Sequence, residues 1–573
     1  MDTHTTADRP GRFWRGASAL VVSLVLTRGI VYLCVMPPFE GWDEYQHVAY
    51  IQHLVETGRP AVLGETSVPR ALLEAAVELP HPEGAAAGQL KATGALGHAA
   101  FWQRREAGKP SPTSRPDAPA VGLYEAQHAS FYYRLAAPLF SAFGGANDLR
   151  ASVGALRLAN VALVAAAVGV VLAALRRVMT HERDALWIGA AVAAQPLFLI
   201  NGVRVANDAL GVLLAAVAVS AGLRWLAEEP REELAGRRAF VLGLAAGLAA
   251  LAKATNLALL PFLAFVWLAL AAGRRLSPRS LAVSGVLLAA GFLAATLGEF
   301  RFNLEHYGRL TPMQELVVNG RNGRTWGDLA RATAALNWPG LVRRLWLRDS
   351  FFAGGWSTLR THPQITILYG RAVTLGLVGW AWAAGLNAWR PRRGFEPNTP
   401  TFATRLVPLG CLVVAGSYTL ALGYHRVQST LAWGEASTGP WYASPALPWF
   451  LTLASAGGLC WFGSPRLARF RGALPAVIAA AGLAADPVAI WGMMLPAYSG
   501  GSSGWEALQR IAWCQPAALG TTTLLLAWLA EAALLVSLAR WCRPPAVEVS
   551  DEAAVPRIAG HPLGPGRAAG YGA

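Results

Sequence analysis

Long apolar runs, separated by short arginine-rich breaks, fill most of this chain. By the criterion of about 20 apolar residues per bilayer crossing, about twelve runs qualify as helices. They cover 16–36, 154–175, 184–203, 207–226, 238–253, 256–273, 279–299, 366–389, 403–424, 443–463, 470–491 and 517–541. The fifth and sixth are short and split by Lys253-Ala254-Thr255-Asn256, a break that allows one re-entrant feature. The first run ends in Pro37-Pro38 without a small-residue cleavage motif, so it reads as a span and not as a removable signal.

Composition agrees with this pattern. The 573 residues are 54% hydrophobic and 14% charged, with mean hydropathy +0.36; soluble domains carry about 25% charge. The net charge of +15 is not a nucleic-acid footprint. Its arginines gather in short segments at 9–15, 176–183, 231–238, 274–279, 390–393, 466–471 and after 540. Basic loops stay cytoplasmic. That rule places both termini inside and two long loops, 37–153 and 300–365, on the extracytoplasmic side. Five cysteines are scattered without a CxxC pair, which argues against a disulfide framework or zinc site. No P-loop or dinucleotide fingerprint stands out.

The expected fold class is an all-α polytopic membrane protein, with about 12 transmembrane helices and two long extracytoplasmic loops, in an inner (cytoplasmic) membrane. Its parts are a cytoplasmic N-terminus (1–15), a transmembrane module carrying both loops (16–365), a C-terminal bundle (366–541) and a disordered cytoplasmic tail (542–573). In the first loop, residues from Tyr45 to Glu56 read as an amphipathic helix. The segment from Phe131 to Phe143 is too short to span and reads as interfacial. The second loop mixes tryptophans with arginines, which suits a loop resting on headgroups.

Candidate chemistry lies near the ends of the spans. Asp43 and Glu44 follow the first span within Pro37-Pro38-Phe39-Glu40-Gly41-Trp42-Asp43-Glu44-Tyr45-Gln46-His47. The dipeptide alone fits an acidic helix N-cap. Its position at the mouth of a membrane-embedded bundle favours a general base instead, with Asp43 first and Glu44 second. Asn207-Asp208, at the predicted outer end of the fourth span, fits either a cap or a site that holds a cation, sugar hydroxyl or acceptor. Glu125, Gln127 and His128 precede the interfacial segment and offer contacts to sugar or phosphate. A phosphate leaving group needs cations, and Lys253, Arg204, Arg301, Arg309, Arg321 and Arg324 are the candidates. Tyr442 lies in the proline-broken stretch 439–448, and such backbone at membrane depth usually lines a cavity. Asp486 and Glu531 are the main mid-span acids, and neither has an evident partner in sequence.

Together these segments resemble the GT-C superfamily of polytopic glycosyltransferases, in particular the bacterial branch with protein mannosyltransferase-like and aminoarabinose transferase-like enzymes. The motif at 37–47, Glu-Ala-Gln-His and Phe-Tyr-Tyr within 125–133, Asn-Asp-Ala-Leu at 207–210, Lys-Ala-Thr-Asn at 253–256 and Phe-Asn-Leu-Glu-His-Tyr-Gly at 302–308 carry the resemblance. It implies that an acidic residue at the Asp43-Glu44 position acts as catalytic base, with a second acidic position at Asp208. It also implies a polyprenyl-phosphate-linked sugar as donor, a lipid, glycan or protein acceptor, and inverting transfer on the extracytoplasmic side. Two departures stand out: Ala129-Ser130 replace a Pro-Pro pair, and Pro440-Trp441-Tyr442 lacks the arginine of a Gly-Arg-Tyr. Either donor binding differs, then, or the missing positive charge comes from the second loop. No cofactor is demanded, and a divalent cation is left open. The rival readings are a transporter or flippase for polyprenyl-linked glycans and a non-catalytic assembly protein for envelope polysaccharide.

Overall fold

The computed structural model describes residues 10–542, apart from 89, 114, 116–118, 180, 230, 353, 358, 390–401 and 463–469. The expected tail and the basic segments at 390–393 and 466–471 thus lie wholly or largely outside the described residues. All twelve apolar runs fall on helices. Among the described residues, ten helices are long and apolar enough to cross a membrane. The run 184–203 is a pair, Glu182–Ala193 and Pro196–Gly202, bent by 62°, and 443–463 holds the shorter apolar helix Leu447–Trp461. Lys253 does not sit in a re-entrant loop, because the segments on either side, Glu232–Ala252 and Ala254–Ala272, are each long enough to cross. The protein is an all-helical, multi-pass membrane protein; among the described residues only isolated β-bridges occur.

The helix Asp208–Ala227 is the most enclosed span, whereas Pro278–Tyr307 and Thr521–Arg540 lie at the edge. Lipid tails are as apolar as leucine, so helices associate through close packing and polar contacts. The pair Glu232–Ala252 and Pro278–Tyr307 uses glycine for this. A Cβ on Gly243 would lie 2.0 Å from the Leu288 carbonyl oxygen, and one on Gly291 would lie 2.2 Å from that of Phe240.

Asp486 and Glu531 do have a partner, and it is Arg28 of the first span. Arg28 forms a two-pronged pair with Asp486 at 2.7 and 3.0 Å, and the Tyr32 hydroxyl donates to Asp486 at 2.8 Å. Glu531 lies 3.9 Å from the same guanidinium. Arg28 also donates to the carbonyls of Ala193 and Ala194, at the bend before Pro196. A broken helix leaves its last carbonyls without intrahelical donors, and in a bilayer protein groups must satisfy them. The pairing escapes a linear reading because its members stand 458 residues apart.

The loop of 37–153 folds against one end of the bundle. Helices Glu44–Thr57 and Phe131–Ala142 pack on each other, with the rings of Tyr50 and Tyr133 stacked at 4.0 Å. Phe131–Ala142 buries Tyr132, Tyr133 and Phe140 and exposes Leu135. Glu44–Thr57 is buried along most of its length, more than an amphipathic surface helix would be. The second loop carries helices Gln314–Arg321, Trp326–Ala335 and Trp338–Arg343. Trp326 there is 84% exposed.

Breaking a buried pair strands a charge and costs about 3–5 kcal/mol. Arg28→Ala is therefore expected to lower the thermal unfolding midpoint of the detergent-solubilised protein markedly. Glu531→Gln, which removes only the distant partner, should have a much smaller effect.

Candidate active site

The first span stops at Val35 because Pro37 and Pro38 cannot continue a helix. The chain then reverses through two left-handed residues, Phe39 (φ 67°) and Asp43 (φ 58°). Such conformations need support when the residue is not glycine. The support comes from Arg157, in helix Leu149–Val178. Its guanidinium donates to both Glu44 carboxylate oxygens at 2.7 and 2.6 Å, and to the carbonyls of Met36 and Pro37 at 2.6 and 2.7 Å. The other lone pairs of Glu44 accept from Phe39 N (2.8 Å) and Val205 N (2.7 Å). Glu40 secures the other side of the turn: it lies 3.0 Å from His98 Nε2 and accepts from Ser357 N at 2.8 Å, tying the two long loops together.

Asp43 stands in the N-cap position of Glu44–Thr57 but makes no side-chain capping bond. Its half-buried carboxyl instead accepts from the Tyr124 hydroxyl. Burial pushes the Asp43 carboxyl up to about 6, with the negative Glu125 nearby adding to the shift; the Tyr124 bond, Arg204 and Lys253 oppose it. Asp208 is also not a cap. It pairs with Arg204 at 2.5 Å and Lys253 at 2.7 Å, while Lys253 Nζ lies 3.4 Å from the Asn207 side-chain oxygen. Two cations thus face one carboxylate in this cluster, with Asp43 and Glu125 as the nearby acids.

An aromatic floor lies under these cations. Lys253 Nζ sits 4.9 Å from the centroid of Tyr442, and Arg204 lies 5.2 Å from that of Trp42. Trp42 stacks on Trp441 at 4.0 Å. On the other flank, the short turn Tyr124–Gln127 carries Glu125. His128 Nε2 lies 2.9 Å and His47 Nδ1 3.7 Å from its carboxylate. Burial alone would raise Glu125, but its basic neighbours outweigh it and hold the carboxyl low. Burial also pushes His47 down to about 3, so at neutral pH His47 carries no charge that could hold Glu125. His47 Nδ1 lies 2.8 Å from the Tyr133 hydroxyl.

The structure thus gathers Asp43, Glu44, Glu125, His128, Asn207, Asp208, Lys253 and Tyr442 at one end of the bundle. Gln127 sits at its edge, accepting from Gln314 N at 3.3 Å. Arg301 and Arg309 are not brought in. Arg301 is exposed and paired with Glu305 at 2.6 Å, and Arg309 is exposed. The positive charge comes from within the bundle, through Arg204 and Lys253, and not from the second loop. Among the described residues, no three His, Cys, Asp or Glu side chains converge as a metal site. Sequence reasoning missed Arg157, Tyr124 and the Trp42–Trp441 stack. A buried arginine inside an apolar run was the available signal for Arg157.

These features define a polytopic membrane protein with a buried charged cluster over an aromatic floor at one end. Residues 26–415 match the family model described as predicted membrane protein (DUF2142), and the chain belongs to that family. No curated protein matches it. In structure it is similar to ArnT from Cupriavidus metallidurans in the apo state (16% identity, TM-score 0.42, covering 92% of this chain and 74% of that one). It is similar also to ArnT from the same organism bound to undecaprenyl phosphate (15%, TM-score 0.39, 92% and 79%). A third likeness is the apo oligosaccharyltransferase of Archaeoglobus fulgidus (14%, TM-score 0.35, 86% and 57%).

The two adjacent acids should separate on mutation. Glu44→Ala strands Arg157 and is expected to cost about 3–5 kcal/mol. Asp43→Asn keeps a residue that tolerates the left-handed region and removes a charge that burial disfavours, so its unfolding midpoint should match wild type.

Proposed function

We propose that this protein is a GT-C-type membrane glycosyltransferase. It moves a sugar from a polyprenyl-phosphate-linked donor to a lipid, glycan or protein acceptor on the extracytoplasmic side, with inversion. The single observation that carries this reading is the Asp43 carboxyl: free of capping duty, half-buried, and placed beside the Arg204–Asp208–Lys253 cluster. The sequence resemblance at 37–47 supports the same role.

In this mechanism Asp43 accepts the proton of the acceptor hydroxyl as its oxygen attacks the anomeric carbon. The bond from that carbon to the carrier phosphate breaks, and its electron pair leaves with the phosphate. Arg204 and Lys253 stabilise that developing anion, the usual means of lowering such barriers. Tyr124 orients the Asp43 carboxylate through its hydroxyl. Glu44 serves as a strut and not as the base, since donors occupy both its oxygens. Glu125 and His128 line the flank where the acceptor or sugar enters, and Trp42, Trp441 and Tyr442 give an apolar floor to the ring.

The transporter reading would draw on Arg28, Asp486 and Glu531, the charges deepest in the bundle. Arg28 is fully buried and Asp486 nearly so. Their tight mutual pairing suits a fixed brace better than a moving carrier site.

The test is transfer in proteoliposomes from radiolabelled polyprenyl-phosphate sugars to a cell-envelope extract, with a parallel chelator lane. Asp43→Asn is expected to lower transfer by roughly 10²–10⁴-fold, the usual worth of a general base, in a protein that still folds. Transfer at the wild-type rate in that variant would overturn the mechanism. A base must be ionised to act, and burial lifts Asp43 to about 6. The wild-type rate should therefore fall as pH drops through about 6 and level off above it.

A further inference from the structure

A second feature lies outside this pocket. A groove of about 590 Å³ runs between the turn at 343–348 and the exposed face of helix Pro363–Trp389. Arg343 and Arg348 line it from the turn; Arg371 lines it from the helix, about one turn below Ile367 and above Leu375 and Val378. The helical lining residues from Ile367 to Val378 recur about every turn, so they form one stripe about 16 Å long. Ile367, Leu375 and Val378 are each about half exposed on a helix apolar enough to cross the membrane. This wall therefore faces lipid.

The charge in the groove is unbalanced. Among the described residues, neither Arg343 nor Arg371 has a carboxylate within ion-pair distance, and both are exposed. Arg348 has only Asp349, at 3.7 Å, which Arg344 holds more closely at 3.2 Å. Arg371 stands about 12 Å along its helix from Pro363, within a candidate span. An arginine at that depth needs a counter-charge or a route to the headgroups. On the inner side of the same turn, Trp346 is buried against Phe450, so the turn holds the arginines outward, away from the candidate active site.

We propose that this groove binds an anionic phospholipid of the bilayer. Its phosphate would lie among Arg343, Arg348 and Arg371, and an acyl chain would follow Leu375 and Val378 below them. Three guanidinium groups complement phosphate oxygens through paired N–H donors, and the stripe below supplies the hydrocarbon contact that a free anion would not need. The site is separate from the proposed donor pocket and does not depend on the glycosyltransferase reading.

The experiment is native mass spectrometry of the full-length protein after equilibration with phosphatidylglycerol or phosphatidylcholine of matched acyl chains. Each basic residue near a lipid surface is worth about a fivefold change in affinity. The double variant Arg343→Gln/Arg371→Gln is thus expected to weaken phosphatidylglycerol retention by roughly 25-fold. Arg331→Gln, an exposed arginine of the second loop, should leave it unchanged. The single Arg371→Gln, at about fivefold, keeps the test open should the double variant not fold. Equal retention of phosphatidylcholine, or undiminished phosphatidylglycerol binding in the variants, would overturn the proposal. So would displacement by inorganic phosphate alone, which would mean an anion site without lipid specificity. Stoichiometric displacement by polyprenyl phosphate would assign the groove to the carrier and overturn the proposal as well.

Discussion

The buried pair between Arg157 and Glu44 is the interaction on which the rest of the site depends. One guanidinium, projected from the second span, binds the carboxylate at the start of the first loop helix and the two carbonyls at the end of the first span. Two left-handed residues, Phe39 and Asp43, are held between these anchor points. Without the clasp nothing would oblige Asp43 to turn its carboxyl away from the helix N-terminus, where an aspartate would ordinarily cap. Val205 N also donates to Glu44, so the same carboxylate locks the segment bearing Arg204 and Asp208 against the turn. Asp43 and the positive cluster are therefore positioned by one buried anion.

Charge is handled differently within the spans and at the candidate site. At Arg28, Asp486 and Glu531, ion pairing and backbone carbonyls consume the donors, and the group braces a bent helix. In the candidate pocket the balance is left incomplete. Arg204 and Lys253 face one firm partner, Asp208, while Glu125 lies close enough to raise Asp43. Incomplete compensation is costly in a buried setting, and its concentration at one end of the bundle is what makes that end a candidate for chemistry. The groove beside Arg371 repeats the theme at the lipid boundary, where the missing counter-charge can come from the bilayer.

Much of this was legible in linear order. Apolar run length sufficed to place all twelve helical segments, because a bilayer imposes one length and one polarity on whatever crosses it. Asp43, Asp208, Lys253 and Tyr442 were visible because polar residues at the ends of such runs are few. The arginines of the second loop were over-read: Arg301 and Arg309 share the composition of a phosphate site, yet they project into solvent, and composition carries no direction. Asp486 and Glu531 looked partnerless because their partner lies in the first span.

The sequence by itself determined that this protein is a multi-pass helical membrane protein with its unusual polar residues clustered at the ends of the spans. That follows from the solvent, which permits few alternatives. Only the tertiary structure decided which of two adjacent acids is a strut and which is free, and which cations reach the pocket. Those outcomes rest on contacts between helices far apart in sequence, where the direction of a side chain is set by packing and not by its neighbours along the chain.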